Sequence, residues 1–369
     1  MSSDLDFWTA DAHHAFIALA HLANPADAVI GAWVNSHGPQ QTVRDLLYGR
    51  VTKRDPGPFT ARWRFLCERE VATDEQGQVL TRGLENWPES LAALDVKQPF
   101  ALWVRGNIAT LTNFHRTIAI VGARAATHYG SMVARSWAAE LVESGFTILS
   151  GGAFGIDAAA HSGALAAGGL TIAVSAGGVD TPYPAAHAGL FAAIRAAGCV
   201  VSEAPPGERV RRERFLTRNR LIAALSVGTL VVEAAPRSGS LTTADHASTL
   251  HRIVMAVPGP VTSQASRGTH HLIVERKAEL VTSVSDVISM VLPLSELASA
   301  GGEDAVVVPA LSRCAREVAD AFPRRGVTDL ADLIRVSGYS RDHVLGALGE
   351  LESAEQIQQA ENGWALIGA

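Results

Sequence analysis

The sequence predicts an α/β protein built on a doubly wound parallel sheet, and three observations predict it. Short apolar, β-branched runs recur along the middle of the chain: Ile118–Val121, Phe146–Leu149, Leu170–Ser175, Cys199–Ser202, Thr229–Glu233 and Ile253–Val257. Each is too short for a helix and reads as a strand buried on both faces. Segments with helical spacing, such as Val133, Trp137 and Leu141, lie between them, so strands alternate with helices and the crossovers are right-handed. Glycine- or proline-rich loops follow the strands, which gathers them on the carboxyl edge, where open α/β sheets hold ligands.

In chain order, residues 1–62 form a small helical module with helices at Ala12–Leu22, Asp27–Val34 and Thr42–Tyr48, punctuated by Asn24-Pro25 and Gly38-Pro39. Residues 63–115 read as a connecting helix and strand, the strand at Phe100–Gly106, leading into the core at 116–291. A Ser-, Ala-, Gly- and acid-rich linker is expected at 292–305. The tail, 306–369, carries a helix–turn–helix pattern with helices at Leu330–Val336 and Ser340–Ser353, which suggests a winged helix. It holds six arginines against nine acids, so a protein contact suits it better than DNA reading.

At 369 residues the chain is long enough for two or three domains. No apolar run could span a bilayer, and the acidic start Met1–Asp6 lacks a signal-peptide core, so the cytoplasm is expected. Cys67, Cys199 and Cys314 are scattered thiols, and the thirteen histidines show no ligand spacing, so neither a metal nor a cofactor is expected. Net charge is -6. Only three lysines occur, leaving the positive charge to arginine, the side chain suited to forked phosphate contacts.

Two constellations carry chemistry. Gly122-Ala123-Arg124 and Ser150-Gly151-Gly152-Ala153-Phe154-Gly155 each follow a strand and open a helix, an arrangement whose free N–H groups and helix dipole can hold an anion. The same glycines could be no more than tight turns. Neither the Gly-Lys-Ser/Thr order of an ATP loop nor a G-x-G-x-x-G fingerprint is present. The second constellation places Arg209, Arg211, Arg212, Arg214, Arg218 and Arg220 within twelve positions, with Phe215 among them. A solvated face would look similar. However, arginines with an interleaved aromatic beside a glycine loop fit single-stranded nucleic acid. Arg218-Asn219-Arg220 is expected at the start of a helix, its arginines about 200° apart: one facing solvent and phosphate, the other paired inward with Asp157 or Glu203.

Four stretches in fixed order resemble the DprA/Smf family: Ile120–Arg124, Ser150–His161, Phe215–Ala223 and Glu233–Ala244. The resemblance implies a Rossmann-like core flanked by a helical (SAM-like) module and a winged helix. It also implies a non-enzymatic recombination mediator that binds single-stranded DNA during natural transformation, loads RecA on it and works as a homodimer through the core. The resemblance implies Arg124, Arg212, Phe215, Arg218 and Arg220 as DNA-facing, and Gly122, Gly151, Gly152, Arg211, Asn219, Ser238, Gly239 and Ser240 are expected beside them in the DNA-binding site. Asp157, Glu203 and Glu233 are expected as structural supports of the pocket. The chain departs from the family pattern at Ala123 (usually serine), at Phe154 (often arginine), at Thr249-Leu250-His251 and at His270. Loss of an arginine at 154 removes an anion contact. The alternatives are a phosphoribohydrolase-like enzyme, whose P-G-G-x-G-T loop is missing, and a nucleotide-sensing module sharing the pocket. Asp245-His246 beside Ser240 makes no triad, since adjacent helical residues point to different faces.

Overall fold

A computed structural model describes residues 2–51, 55, 57–68, 78–292, 312–323, 327–353, 356–360 and 363–366. The expected linker, 292–305, lies beyond its first residue outside the described residues. The chain divides into two compact units, 1–294 and 295–369.

The first unit is organised by one sheet. Its parallel strands are β3 (Thr117–Val121), β4 (Thr147–Ser150), β5 (Thr171–Val174), β6 (Cys199–Ser202), β7 (Gly228–Val231), β8 (Ile253–Ala256) and β9 (Glu279–Leu280). A hairpin of β1 (Gln78–Thr81) and β2 (Ala101–Gly106) adds antiparallel to β6. The order is β1-β2-β6-β5-β4-β3-β7-β8-β9. Sequence reading found β2 but not β1, whose short, half-polar run becomes a strand only through its partner.

Every residue of β3 to β7 is buried, because helices cover both faces, as a parallel sheet demands. On one face Val121, Leu149, Val174 and Val231 pack under α9 (Arg212–Ala224), α10 (Gly239–Thr249) and α11 (Arg267–Val274). On the other, Ile118, Ile120, Ile148 and Leu230 meet α6 (His128–Glu143), α7 (Ile156–Ala166) and α12 (Val284–Val291). The alternation of strand residues between these two cores is the strand's period of two.

The helical module comprises α1 (Ser2–Trp8), α2 (Ala12–Leu22), α3 (Ala28–His37), α4 (Pro39–Leu47) and α5 (Gly57–Glu68). Asp11 and Asp27 cap α2 and α3 by accepting from backbone N–H groups. Phe16, Leu19, Leu22 and Trp63 share a core with Trp103 of β2, Val200 of β6 and Phe191 of α8 (Ala188–Ala197). The module is therefore fused to the sheet rather than tethered.

The chain runs outward from β3 through β4, β5 and β6, then returns to lay β7 on the other side of β3. β3 and β7 are thus adjacent while their following helices lie on opposite faces. Val121 pairs with Val231, so the two strands end level and their loops part, opening a crevice at the switch point.

The second unit contains α13 (Arg313–Asp320), α14 (Leu330–Ser337) and α15 (Arg341–Ser353), then an antiparallel hairpin of β10 (Ile357–Ala360) and β11 (Gly363–Leu366). Asp329 caps α14, and Gly338 ends it in the left-handed conformation. Ala315, Leu333, Val344, Leu348 and Ile357 form a separate small core. Among the described residues no helix is long and apolar enough to cross a membrane.

Candidate nucleic-acid interface

A cleft of ≈ 1140 Å³ occupies the switch point. The loop after β3 contributes Gly122 to Ala125, the stretch into α9 contributes Arg211, Arg212, Phe215, Arg218 and Asn219, and the start of α10 contributes Arg237 to Ser240. Five arginines (124, 211, 212, 218 and 237) line it against one carboxylate, Asp157. A concave, low-dielectric wall with that imbalance concentrates positive potential, although the whole chain is acidic.

The outer shell is exposed. The Arg124 guanidinium carbon sits over the half-buried Phe215 ring, 4.7 Å from its centroid, and the Tyr183 ring centroid is 5.5 Å from that of Phe215. Arg211, Arg212 and Arg237 are exposed. Arg212 opens α9 and Arg211 precedes it without a side-chain cap. Cations at a helix N-terminus oppose the dipole. Arg214 is relieved by Glu208 at 2.8 Å; the exposed arginines leave a site that an incoming anion would stabilise.

The inner shell is closed. Arg218 is buried and donates from a terminal nitrogen to the carbonyls of Gly151 (2.9 Å) and Val174. Glycine at 151 leaves room for this guanidinium, which a Cβ there would force to shift. Burial pulls the Arg218 pKa down to about 10, with nearby Asp157 opposing that shift. Asp157 accepts from Gly151 N–H (3.2 Å) and Ala153 N–H (3.3 Å). Burial raises its carboxyl pKa, while Arg218 and these two donors work against the rise. Beneath them, His161 is fully buried with its Nδ1 2.7 Å from Thr171 Oγ1. That hydroxyl donates to the Ile148 carbonyl (2.8 Å), so Nδ1 carries the proton. Desolvation and the Arg218 charge depress the His161 pKa to about 3.

Arg220 also turns inward, forking onto Glu203 with both contacts at 2.6 Å and donating to the Lys97 carbonyl at 3.0 Å. The expectation of one outward and one inward arginine is corrected: both are buried. The helix starts six residues earlier than expected, at Arg212, so Arg218-Asn219-Arg220 lies mid-helix, between the sheet and α10. Asn219 donates to the Gly239 carbonyl (3.0 Å), fixing the start of α10 beside α9.

The two glycine loops are likewise corrected as anion cradles. Glu233, buried two residues past the end of β7, accepts from Thr127 N–H (2.9 Å) and Thr127 Oγ1–H (2.5 Å), so a carboxylate already sits at the N-terminus of α6. Gly130 makes room for that carboxylate, which a Cβ there would displace. Asp157 fills the second cradle. The start of α10 differs: Ser238 accepts from Ser240 N–H (3.3 Å), and no carboxylate contacts it among the described residues.

Of the residues expected from sequence, Gly122, Arg124, Asp157, Arg211, Arg212, Phe215, Arg218, Asn219, Ser238, Gly239 and Ser240 line one cleft. Gly151, Gly152, Arg220, Glu203 and Glu233 stand behind its wall. Tyr183 and Arg237 were not anticipated. Both lie in strand-end loops (Asp180–Pro184 and Pro236–Ser240), so the signal that flagged the glycine loops would have found them.

A family model described as DNA recombination-mediator protein A matches residues 78–292, the sheet with its hairpin and helix layers. The chain belongs to this DprA/Smf family. It is 38% identical over 368 residues to a DprA protein of Mycobacterium tuberculosis, covering 96% of this chain and 94% of the relative. To DNA processing protein DprA of Streptococcus pneumoniae it is 42% identical over 251 residues, covering 67% of this chain and 87% of that protein. The X-ray structure of that pneumococcal DprA matches with a TM-score of 0.64 at 31% identity, over 78% of this chain and 97% of that one. DNA processing protein A of Helicobacter pylori, whose structure addresses its single-stranded DNA binding mode, matches at TM-score 0.53 and 29% identity, over 58% of this chain and 95% of that one. The match to both DprA structures supports the mixed α/β architecture; the family's recombination-mediator role is the class in which the cleft is to be understood.

Proposed function

We propose that the cleft binds single-stranded DNA without strong sequence preference, and that the chain acts in the cytoplasm as a mediator that places RecA on that strand during natural transformation. The carrying observation is the Arg124–Phe215–Tyr183 assembly, a half-buried phenyl ring between an exposed arginine and an exposed tyrosine, in an arginine-lined crevice. Guanidinium groups neutralise phosphates while ring faces stack bases, a combination that tolerates any sequence. The Helicobacter relative, which binds single-stranded DNA, supports the reading. A role without bond-breaking chemistry is supported by the inner shell: Asp157 is occupied by backbone donors, and His161 is neutral and enclosed. In this reading Gly122, Arg124, Arg211, Arg212, Phe215, Ser238, Gly239 and Ser240 face the strand. The inward residues Arg218, Asn219, Arg220, Gly151, Gly152, Asp157, Glu203 and Glu233 hold the wall. A homodimer through the sheet unit, and a winged-helix second unit that contacts protein rather than DNA, complete the proposal.

A mobility-shift series with single- and double-stranded oligonucleotides tests it. The single strand should bind more tightly, with affinity falling steeply between about 50 and 200 mM salt as phosphate contacts release counterions. Equal affinity for a duplex of the same length overturns it, as does displacement of the strand by mononucleotides at matching concentration, which would favour a nucleotide sensor.

A further inference from the structure

The loop between β4 and α7 projects an apolar ring that the arginine cleft does not use. Gly152 and Gly155 adopt φ of 72° and 79°. These left-handed turns bracket Ala153-Phe154 and push the pair outward. Ala153 lines the cleft, and Phe154 beside it is 47% exposed. The Phe154 ring is held, not free: it meets the His187 ring edge-on, centroids 4.5 Å apart at 67°. His187 is itself fixed by a 3.0 Å bond between its Nδ1 and the Gly152 carbonyl. The Ala185–His187 turn follows closely on Tyr183, which is also 47% exposed and packs against Phe215. The loops after β3, β4 and β5 and the start of α9 therefore set Arg124, Phe154, Tyr183 and Phe215 around the same carboxyl edge.

A half-exposed phenyl ring offers nothing to a phosphate, but its face can stack any nucleobase. We propose that Phe154, braced by His187, forms a second base-stacking subsite, separate from the Phe215–Tyr183 pair. The strand would then be recognised partly through its bases rather than its charge alone. This inference rests on the single-strand reading above.

The test uses the full-length chain with two single strands of equal length, one normal and one carrying a run of abasic positions. Phe154→Ala should weaken binding of the normal strand by roughly fivefold or more and leave the abasic strand within about twofold of wild type. Phe154→Arg should bind both strands, with a salt dependence steeper by about one phosphate. Equal losses on both strands, or no loss on either, overturns the subsite while normal wild-type binding keeps the underlying reading. A wild-type protein that binds neither strand overturns both.

Discussion

The two ends of helix α9 put the same side chain to opposite uses. At its start, Arg211 and Arg212 stand in solvent against an unfavourable helix dipole, facing the cleft. Two turns later, Arg218 and Arg220 are 5% and 2% exposed: one terminal nitrogen of Arg218 donates to the Gly151 and Val174 carbonyls while its buried Nε has no partner among the described residues, and Arg220 forks onto Glu203. Arg124, on the neighbouring loop, belongs with the first pair, since it is exposed and its guanidinium sits over the Phe215 ring. Charge density in a sequence does not report which charges meet a ligand. Burial separates arginines that hold the wall from arginines free to meet phosphate.

The largest expected effect breaks the inner class. Arg220→Ala strips one partner from a buried ion pair and leaves Glu203 uncompensated, which should cost about 3–5 kcal/mol in urea denaturation. Replacing Arg220 and Glu203 together with Met and Leu should return much of that, because no orphaned charge remains. A single-variant loss below about 1 kcal/mol would place Arg220 with the outer class instead.

Next comes the outer class. Arg124→Ala should cost about 1.5–3 kcal/mol of single-strand affinity, the worth of a charge-assisted contact, and flatten the salt slope by about one phosphate. Its folding stability should stay within about 0.5 kcal/mol of wild type. Arg124→Lys should recover only part of the affinity, lacking the fork. A folded Arg124→Ala protein that binds like wild type would mean that exposed arginines at the cleft do not meet the strand.

The smallest effect sharpens the picture of the floor. His161 has its pKa lowered from 6.5 to about 3 on folding, so the unfolded chain takes up the proton first as pH falls. The stability that follows from keeping it neutral is whole above about pH 6.5 and is lost as pH drops toward 3. Between pH 7 and pH 5 this group should account for about 2 kcal/mol of lost stability. A His161→Gln variant, which cannot titrate, should lose that much less over the same interval in parallel denaturation curves. Identical pH dependence in both proteins would show that His161 is not enclosed as described.

Much of this molecule was legible in its sequence because the relevant physics is local. Apolar runs of four or five residues separated by helical periods can only make a parallel sheet with two covered faces, and loops after strands can only gather on one edge. The arginine run and Phe215 were visible as a nucleic-acid signature, and their order with the glycine loops marked the family. What the tertiary structure alone decided concerns partners far apart in the chain. Thr127 and Glu233 are 106 positions apart, and nothing in either stretch foretells that a carboxylate occupies the N-terminus of α6. The same holds for α9. Helical geometry says that residues 218 and 220 point in different directions, but not what waits there. Arg218 meets the carbonyl ends of β4 and β5, while Arg220 meets Glu203 and Lys97. A helix packed on more than one side buries more than its apolar stripe, and a one-dimensional pattern cannot show the second neighbour.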